Sequence, residues 1–270
     1  MTKTSPRRAF ETDHNDGKIL NVKISGTSKD KVLTFLSTSL KNKFKFFITT
    51  PNPEIIVEAN RNAALLKTLN SSDLALADGT GLVLASKLFG LKNIRRLPGR
   101  TMFLDLLTFA DQNHLKIFLL GSTPVAIEKS LARLSASYPR LKAEAFSGPY
   151  LDKAASPVSK ADLRLENESL TLINRFKPDL LFVAFGAPKQ ELWISRHFNK
   201  LNIGGAMVIG GTLDYFSGEK PLPPGWLSRL GLEWLWRLLH EPGHLKRVYT
   251  AIVIFPVLLI KSLFQKSETF

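Results

Sequence analysis

Five short apolar runs in the chain each end at a small polar cluster, and a stretch with helical character follows each cluster. The runs are FFIT before TPNPE, LALA before DGTG, IFLLG before STP, LLFVAFG before APKQE, and MVIGG before TLD. They are almost uniformly apolar rather than alternating, which is typical of strands covered on both faces. This order predicts an α/β fold, a Rossmann-like parallel sheet with helices on both faces.

Asp78 follows the run LALA and precedes Gly79-Thr80-Gly81. Ligands of parallel α/β sheets bind beyond the carboxyl ends of the strands, so the Asp78 carboxylate is predicted to lie in a partly dry cleft, where it could act as a general base. The residue type also suits a helix N-cap for the segment GLVLASKLF. The residues alone leave both interpretations open.

Thr50 and Asn52 follow the run FFIT and also allow two interpretations. Their side chains can hydrogen-bond a substrate or cap a helix. Asn52 followed by Pro53 is typical of an N-cap and a first helical residue. We predict one helix from Pro53 to about Leu69.

Two further loops carry candidate groups. Gln190 and Glu191 begin a helix in GAPKQE, where Glu191 alone could simply complement the helix dipole. Gly210 and Gly211 could let the backbone approach a ligand phosphate, although a glycine pair after a strand more often forms only a turn. Asp214 could hydrogen-bond a sugar hydroxyl or shape a turn.

Several familiar motifs are missing from the sequence. There is no GxxxxGK[ST] loop and no GxGxxG at the first helix, which argues against ATP hydrolysis and standard NAD binding. The chain has no cysteine, so neither a disulfide nor a Cys-zinc site is expected. An Asp-x-Asp clamp for a metal and a diphosphate is also missing. We therefore predict no metal and no cofactor.

The charge of the chain indicates anionic partners. There are 37 Lys and Arg against 23 Asp and Glu, a net charge of +14, which attracts nucleic acid, anionic lipid or phosphorylated substrates. No DNA- or RNA-reading motif accompanies the charge, so no nucleic-acid partner is predicted. The N-terminal stretch MTKTSPRRAFETDHNDGK is polar and lacks the apolar core of a signal peptide, so we expect a cytoplasmic protein.

The character of the chain changes near Gly218. The stretch KPLPPG breaks the strand and helix pattern, and the sequence beyond it is basic, rich in Trp and Leu, and predicted to be helical. We therefore divide the chain into residues 1–40, a polar lead and the start of the core; residues 41–218, the α/β catalytic core; and residues 219–270, a helical C-terminal appendage that associates with a membrane.

An apolar stretch inside the appendage carries the membrane prediction. Residues 248–260 are uncharged and mostly apolar, but the stretch is too short for an ordinary spanning helix and contains Pro256. Lys246, Arg247 and Lys261 flank it and three tryptophans precede it, which is typical of a segment lying at a membrane interface. The alternative is a core helix or an oligomer helix, so a homo-oligomer also stays open.

Six stretches, in this order, are TPNPE, ADGTG, RLPGR, GAPKQE, GGTLDYFSG and GLEWLWRLLHEP. Together they resemble the WecG/TagA/CpsF family of bacterial glycosyltransferases over roughly residues 48–249. The resemblance implies an inverting, metal-independent enzyme. It would move an N-acetylmannosamine-type or related sugar from a UDP donor to a polyprenyl-diphosphate-linked sugar. It also implies a role in surface or exported polysaccharide biosynthesis, at the inner face of the cell membrane.

The resemblance also implies roles for single residues. Asp78 matches the proposed catalytic base, and Thr50 and Asn52 match a polar pair thought to hold a sugar. Gln190 and Arg96 match residues that line the pocket, where the charge of Arg96 would stabilise a departing UDP. The candidate catalytic residues are therefore Asp78 and Thr50, and the candidate substrate-binding residues are Asn52, Arg96, Gln190, Gly211 and Asp214.

The appendage departs from the family pattern in two places. Leu222-Pro223-Pro224 stands where many members have arginine-alanine-proline, and Pro242-Gly243-His244 stands where they have a proline followed by arginines. Only Lys246 and Arg247 keep the basic character, so the resemblance leaves tail contacts with UDP open. A non-catalytic nucleotide-sugar-binding scaffold of the same fold is the alternative function, and the retained Asp78 argues against it.

Overall fold

The computed structural model of the chain describes residues 16–230, 233–240 and 245–267. Within these residues a parallel sheet is built from the strands β3 (Phe46–Thr49), β4 (Leu74–Ala75), β5 (Lys116–Gly121), β6 (Lys142–Phe146), β7 (Leu180–Ala184) and β8 (Gly205–Val208). Their order across the sheet is β4-β3-β8-β7-β5-β6, and every neighbouring pair is parallel. The predicted α/β fold is confirmed, and all five apolar runs are strands of this sheet.

Helices cover both faces of the sheet. They are α1 (Lys29–Lys41), α2 (Pro53–Ala59), α3 (Ala63–Ser71), α4 (Thr80–Leu88), α5 (Gly99–Gln112), α6 (Pro124–Ser137), α7 (Lys160–Phe176), α8 (Lys189–His197) and α9 (Thr212–Phe216). Alternate residues of a strand point to opposite faces. Towards α1, α5, α6 and α9, the sheet contributes Ile48, Leu119, Phe182 and Met207. Towards α7 and α8, it contributes Phe47, Phe118, Leu181 and Ala206.

A small antiparallel hairpin precedes the sheet. Its strands are β1 (Gly17–Ile19) and β2 (Val22–Ile24), and Leu20 and Asn21 turn between them with φ values of 47° and 67°. The apolar residues of the hairpin are buried against α2 and α3. The first strand therefore begins at Gly17, within the last residues of the polar stretch MTKTSPRRAFETDHNDGK. The rest of the lead, residues 1–15, lies outside the described residues.

The predicted single helix from Pro53 to Leu69 is wrong, because two helices occupy that stretch. The first, α2, ends at Ala59, and the second, α3, begins at Ala63. Asn62 caps the second helix, since its Oδ1 accepts a hydrogen bond from the backbone N–H of Leu65 at 3.0 Å. A second N-cap asparagine was the sequence signal for this break.

The C-terminal part contains α10 (Gly225–Leu230), α11 (Glu233–His240), α12 (Leu245–Tyr249), a π-helical turn (Thr250–Ile254) and α13 (Phe255–Ser267). The last three form one continuous helix, residues 245–267, called the tail helix below. Over Leu245–Phe264 its mean hydropathy is 1.8 and 11% is buried, so by length and composition this helix could cross a membrane. Its inner side chains, Phe255 and Leu259, pack in the same apolar cluster as Ile55 of α2.

Pro256 does not end the helix, as the sequence suggested; the apolar run, residues 248–260, is short, but the helix that contains it is long enough to cross a membrane. A proline inside a helix leaves one carbonyl unpaired and crowds the preceding turn. The turn before it, Thr250–Ile254, is π-helical and accommodates this disturbance. The helix is therefore longer than the apolar run that predicted it.

Candidate active site

Two adjoining cavities lie at the carboxyl ends of β4, β3, β8 and β7. The first, about 130 Å³ in volume and called the polar cavity below, is lined by Thr50, Asn52, Asp78, Gln190, Glu191 and Gly211, among others. The second, about 270 Å³ and called the tail cleft, is lined by Asn52, Asp78, Leu84, Arg96, Trp234 and Ile252, among others. Since Asn52 and Asp78 line both, these two residues mark the junction of the cavities.

Asp78 is held at this junction by backbone contacts. Its own N–H donates to the carbonyl of Pro51 at 2.9 Å, and its Oδ2 accepts from the N–H of Gly99 at 3.2 Å. Gly99 is the first residue of α5, and the positive end of a helix dipole favours a carboxylate at this place. The carboxylate therefore has a fixed place beside both cavities.

The alternative interpretation of Asp78 as an N-cap of α4 is wrong. The N-cap of α4 is Gly79, with no side-chain capping hydrogen bond. Its φ of 110° lies in a region that favours glycine, and this turn directs the chain into α4 after Asp78. The side chain of Asp78 therefore bonds to α5, the next helix along the chain.

Thr50 and Asn52 both line the polar cavity, and each also has a structural contact. The Asn52 Oδ1 accepts from the N–H of Ile55 at 2.9 Å, which confirms the predicted N-cap of α2. The Thr50 Oγ1 donates to the carbonyl of Val208 at 3.5 Å. A Cβ atom at Gly99 would lie 3.2 Å from the Thr50 Oγ1, which is tighter than ordinary van der Waals contact, so Gly99 and Thr50 pack closely.

The GAPKQE loop places two buried polar side chains on the polar cavity. Its Ala187–Pro188 peptide bond is cis, and α8 begins directly after it. Gln190 is 4% exposed; its Oε1 accepts from the N–H of Gly210 at 3.0 Å, and its Nε2 donates to Glu191 Oε1 at 3.0 Å. These two bonds fix the orientation of the Gln190 amide.

Glu191 has an unusual environment for a glutamate. Its side chain is 2% exposed, and among the described residues its Oε2 has no hydrogen-bond partner. Burial raises the pKa of this carboxyl from 4.5 to about 7. The hydrogen bond from Gln190 and the positive charge of Arg247 lower the pKa, and the negative charge of Glu54 raises it further. A role limited to the helix dipole does not account for this burial, which no sequence signal indicated.

Positive charge is gathered around both cavities. Arg96 lines the tail cleft, Arg100 and Lys220 line the polar cavity, and Arg247 lines both. The Arg247 Nε donates to both oxygens of Glu54 at 2.7 and 2.9 Å. Of these four residues, only Arg96 was predicted to line the pocket, and Arg247 was predicted to flank the membrane-associated segment. Lys220 and Arg100 carried no distinguishing signal beyond their charge.

Gly211 and Asp214 occupy different places. Gly211 is the N-cap of α9 and lines the polar cavity. Asp214 is not among the residues that line either cavity. Its Oδ1 accepts from the Ser122 Oγ at 2.7 Å, and its Oδ2 lies 3.3 Å from the Lys220 Nζ. Asp214 therefore orients a cavity cation instead of facing the cavity itself.

The tail also forms part of the site. Trp234 of α11 and Val248, Ala251 and Ile252 of the tail helix line the tail cleft. Leu222-Pro223-Pro224 does not line either cavity, and Pro242-Gly243-His244 lies outside the described residues. In the parts of the chain that the structure describes, no three His, Cys, Asp or Glu side chains form a group that could hold a metal ion.

Comparison with known proteins gives the relatives of this chain. The family model described as "Glycosyl transferase WecG/TagA/CpsF family" matches residues 17–269. A protein of Staphylococcus aureus (strain MW2) named N-acetylglucosaminyldiphosphoundecaprenol N-acetyl-beta-D-mannosaminyltransferase is 33% identical over 247 residues, covering 90% of this chain and 92% of the relative. Proteins of the same name from strains NCTC 8325 / PS 47 and MRSA252 match with the same identity and coverage.

Proposed function

The chain belongs to the WecG/TagA/CpsF family of glycosyl transferases, and on that premise we propose that it transfers an N-acetylmannosamine-type or related sugar from a UDP donor to a polyprenyl-diphosphate-linked sugar. The relatives' names support this acceptor class, since they give N-acetylglucosaminyldiphosphoundecaprenol as the substrate. The product would be an intermediate of a surface or exported polysaccharide. The observation that carries the proposal is the Asp78 carboxylate, held by Gly99 between the polar cavity and the tail cleft.

The arrangement supports an inverting displacement. The acceptor enters through the tail cleft, and Asp78 takes the proton from its attacking hydroxyl. The hydroxyl oxygen forms a bond to the anomeric carbon of the donor while the bond from that carbon to the UDP oxygen breaks on the opposite side. The donor sugar therefore occupies the polar cavity, where Thr50, Asn52 and Gln190 can hydrogen-bond it.

The cations divide between the two diphosphates in the same arrangement. In-line displacement requires the leaving UDP to lie on the far side of the sugar from Asp78, and we propose that Arg100, Lys220 and Arg247, which line the polar cavity, bind it there. Fixed positive charges there stabilise the negative charge that develops on the leaving group. The resemblance assigns Arg96 to the departing UDP; because Arg96 lines the tail cleft and not the polar cavity, we propose that it binds the diphosphate of the acceptor instead.

Transfer should persist in excess EDTA, because these side chains supply the charge that a metal would otherwise provide. The measurement is the initial rate of UDP release with and without the chelator. Addition of Mg²⁺ or Mn²⁺ after EDTA is the control. A rate that EDTA abolishes and either ion restores would contradict metal independence.

Membrane contact explains how a lipid-linked acceptor reaches the tail cleft. The outer side chains of the tail helix are exposed, among them Val257, Ile260 and Phe264. Leu84 of α4, which lines the same cleft, is 66% exposed, and Leu88 of the same helix is 56% exposed. Apolar side chains gain free energy at the headgroup boundary, and nearby basic residues add attraction to anionic lipid. We place the protein on the cytoplasmic face of the membrane.

The triple substitution Val257→Ser, Ile260→Ser and Phe264→Ser should release the protein from phosphatidylglycerol vesicles. The partition coefficient of the protein should fall roughly tenfold or more. Deleting the whole segment would also remove the core residues Phe255 and Leu259, so these exposed substitutions are the cleaner test. A matched control carries serine at Val125, Val158 and Leu163, which are exposed apolar residues away from the tail. If both variants sediment with vesicles as the wild type does, the tail does not attach the protein.

A donor screen tests the function directly. UDP-sugars are offered with a prenyl-diphosphate-linked N-acetylglucosamine acceptor, and the expected result is one preferred donor and an inverted linkage in the product. A protein that binds UDP-sugars without transferring any of them would be the scaffold of the same fold, and that outcome would contradict the proposed reaction.

A further inference from the structure

Glu191 lines the polar cavity but has no part in the transfer step described above. One of its oxygens, Oε1, accepts from the Gln190 Nε2. The other, Oε2, is buried without a hydrogen-bond partner among the described residues. A buried carboxyl oxygen without a partner costs free energy in a folded protein, and such groups are rare. A ligand that brings an N–H or O–H group into the cavity would satisfy it.

The hydrogen bonds of the residues around Glu191 leave this oxygen without a protein partner in the described part of the chain. Gln190 is already committed at both ends, because its Oε1 accepts from Gly210 and its Nε2 donates to Glu191. Arg247 and Glu54 act on Glu191 through their charges but pair with each other by hydrogen bonds. Burial outweighs their combined influence and raises the pKa of Glu191 to about 7.

We propose that Glu191 determines sugar specificity, with its carboxyl hydrogen-bonding an N–H or O–H group of the transferred sugar in the polar cavity. The inference rests on the proposed function, since it assumes that the donor sugar occupies this cavity. A site built to hydrogen-bond a polar group of a substrate rejects analogues that lack the group, because its own buried atoms then stay unpaired.

The sugar fits this position better than the diphosphate or the base of the donor. A carboxyl repels a phosphate, and Arg100 and Lys220 offer the diphosphate a better place in the same cavity. The sugar must also lie near Asp78, which lines this cavity. At about 130 Å³ the polar cavity is smaller than the pockets that enclose a whole drug-sized ligand, so it holds only part of the donor.

The test compares Glu191→Leu and Glu191→Gln with the wild type. The KM for UDP-N-acetylmannosamine should rise roughly 10- to 100-fold in Glu191→Leu, and the inhibition constant of UDP alone should stay unchanged. Glu191→Gln should recover part of the loss, since its amide oxygen can still accept a hydrogen bond. The KM of the wild type should vary with pH near 7, and that of Glu191→Gln should not.

Glu166→Gln is the matched control for burial. Glu166 is also buried, but its Oε1 accepts from the Trp193 Nε1 at 3.1 Å and contacts the His197 Nε2 at 3.2 Å, away from the cavities. This variant should lose stability and keep the wild-type KM. An unchanged KM in Glu191→Leu, or an equal loss of affinity for UDP alone, would overturn the proposal.

Thermal unfolding without substrate separates a binding role from a structural one. The pKa of Glu191 in the folded protein, about 7, lies above its usual 4.5, so its stabilising contribution is present below about 4.5 and is lost as the pH rises through 7. Glu191→Gln should therefore gain in Tm over the wild type as the pH rises. A structural role would instead make the variant less stable at every pH.

The outcomes separate this inference from the proposed function. If the wild type transfers sugar and Glu191→Leu behaves like it, only the role of Glu191 fails. If the wild type transfers no sugar from any donor, the proposed function fails. Calorimetric titration of UDP-N-acetylmannosamine and of UDP into both proteins then still decides whether Glu191 binds the sugar, since the two ligands differ only in that group.

Discussion

Replacing Asp78 with asparagine should lower turnover by roughly 10²–10⁴-fold and leave the affinity for UDP nearly unchanged. An asparagine has the same shape, and its Oδ1 can still accept the hydrogen bond from the Gly99 N–H. It cannot take a proton from the acceptor hydroxyl. The effect therefore falls on the chemical step, and the measurement is kcat with saturating donor and acceptor, beside calorimetric binding of UDP.

The matched control for this variant is Asp73→Asn. Asp73 precedes β4 as Asp78 follows it, and its Oδ2 accepts from the Phe47 N–H at 2.8 Å, outside both cavities. Its substitution should change stability alone and keep the turnover of the folded protein normal. Near-wild-type turnover in Asp78→Asn would remove Asp78 from the mechanism and with it the observation that carries the proposed function.

Replacing Arg247 with alanine should lower kcat/KM because it should raise the activation free energy by about 2–4 kcal/mol. That is the typical cost of removing one fixed group that stabilises developing charge. Arg247 lines both cavities and reaches the polar cavity from the tail helix. Its loss removes positive charge where UDP departs. The measurement is kcat/KM for the donor, with an acceptor that carries a short, soluble prenyl chain so that membrane binding does not contribute.

Glu54→Gln separates charge from anchoring. Arg247 also pairs with Glu54, so its removal breaks a contact between the tail helix and α2. The glutamine variant weakens that ion pair but keeps the arginine. It should retain most of the activity that Arg247→Ala loses. Equal losses in the two variants would mean that Arg247 holds the tail in place and does not stabilise the leaving group.

Local sequence patterns predicted the sheet because its central strands are buried on both faces. A strand such as β7, LLFVA, is apolar at every position, and this signal depends on no distant residue. The edge strand β6, KAEAF, is partly exposed and carries two charged residues, so no apolar run revealed it. The three-residue strands of the N-terminal hairpin were too short to give a pattern.

The part of the candidate site that lies directly after the strands was predictable from the sequence. Thr50, Asn52 and Asp78 line the polar cavity together because β3 and β4 are parallel neighbours. The approach of Arg247 to Glu54 joins residues 193 positions apart, and no local pattern reports such a distance. The burial of Glu191 likewise depends on the elements packed around it.

The packing of the tail helix on α2 fixes the distance between the outer side of that helix and the Asp78 carboxylate. Phe255 and Leu259 hold the helix against α2, whose N-cap is Asn52 at the junction of the two cavities. If the outer side of the helix rests in the lipid headgroups, the Asp78 carboxylate stands at one set elevation above the bilayer. That fixed elevation limits which acceptors can present a hydroxyl to Asp78, so we expect transfer to fall as the sugar chain between the lipid diphosphate and the accepting hydroxyl grows longer.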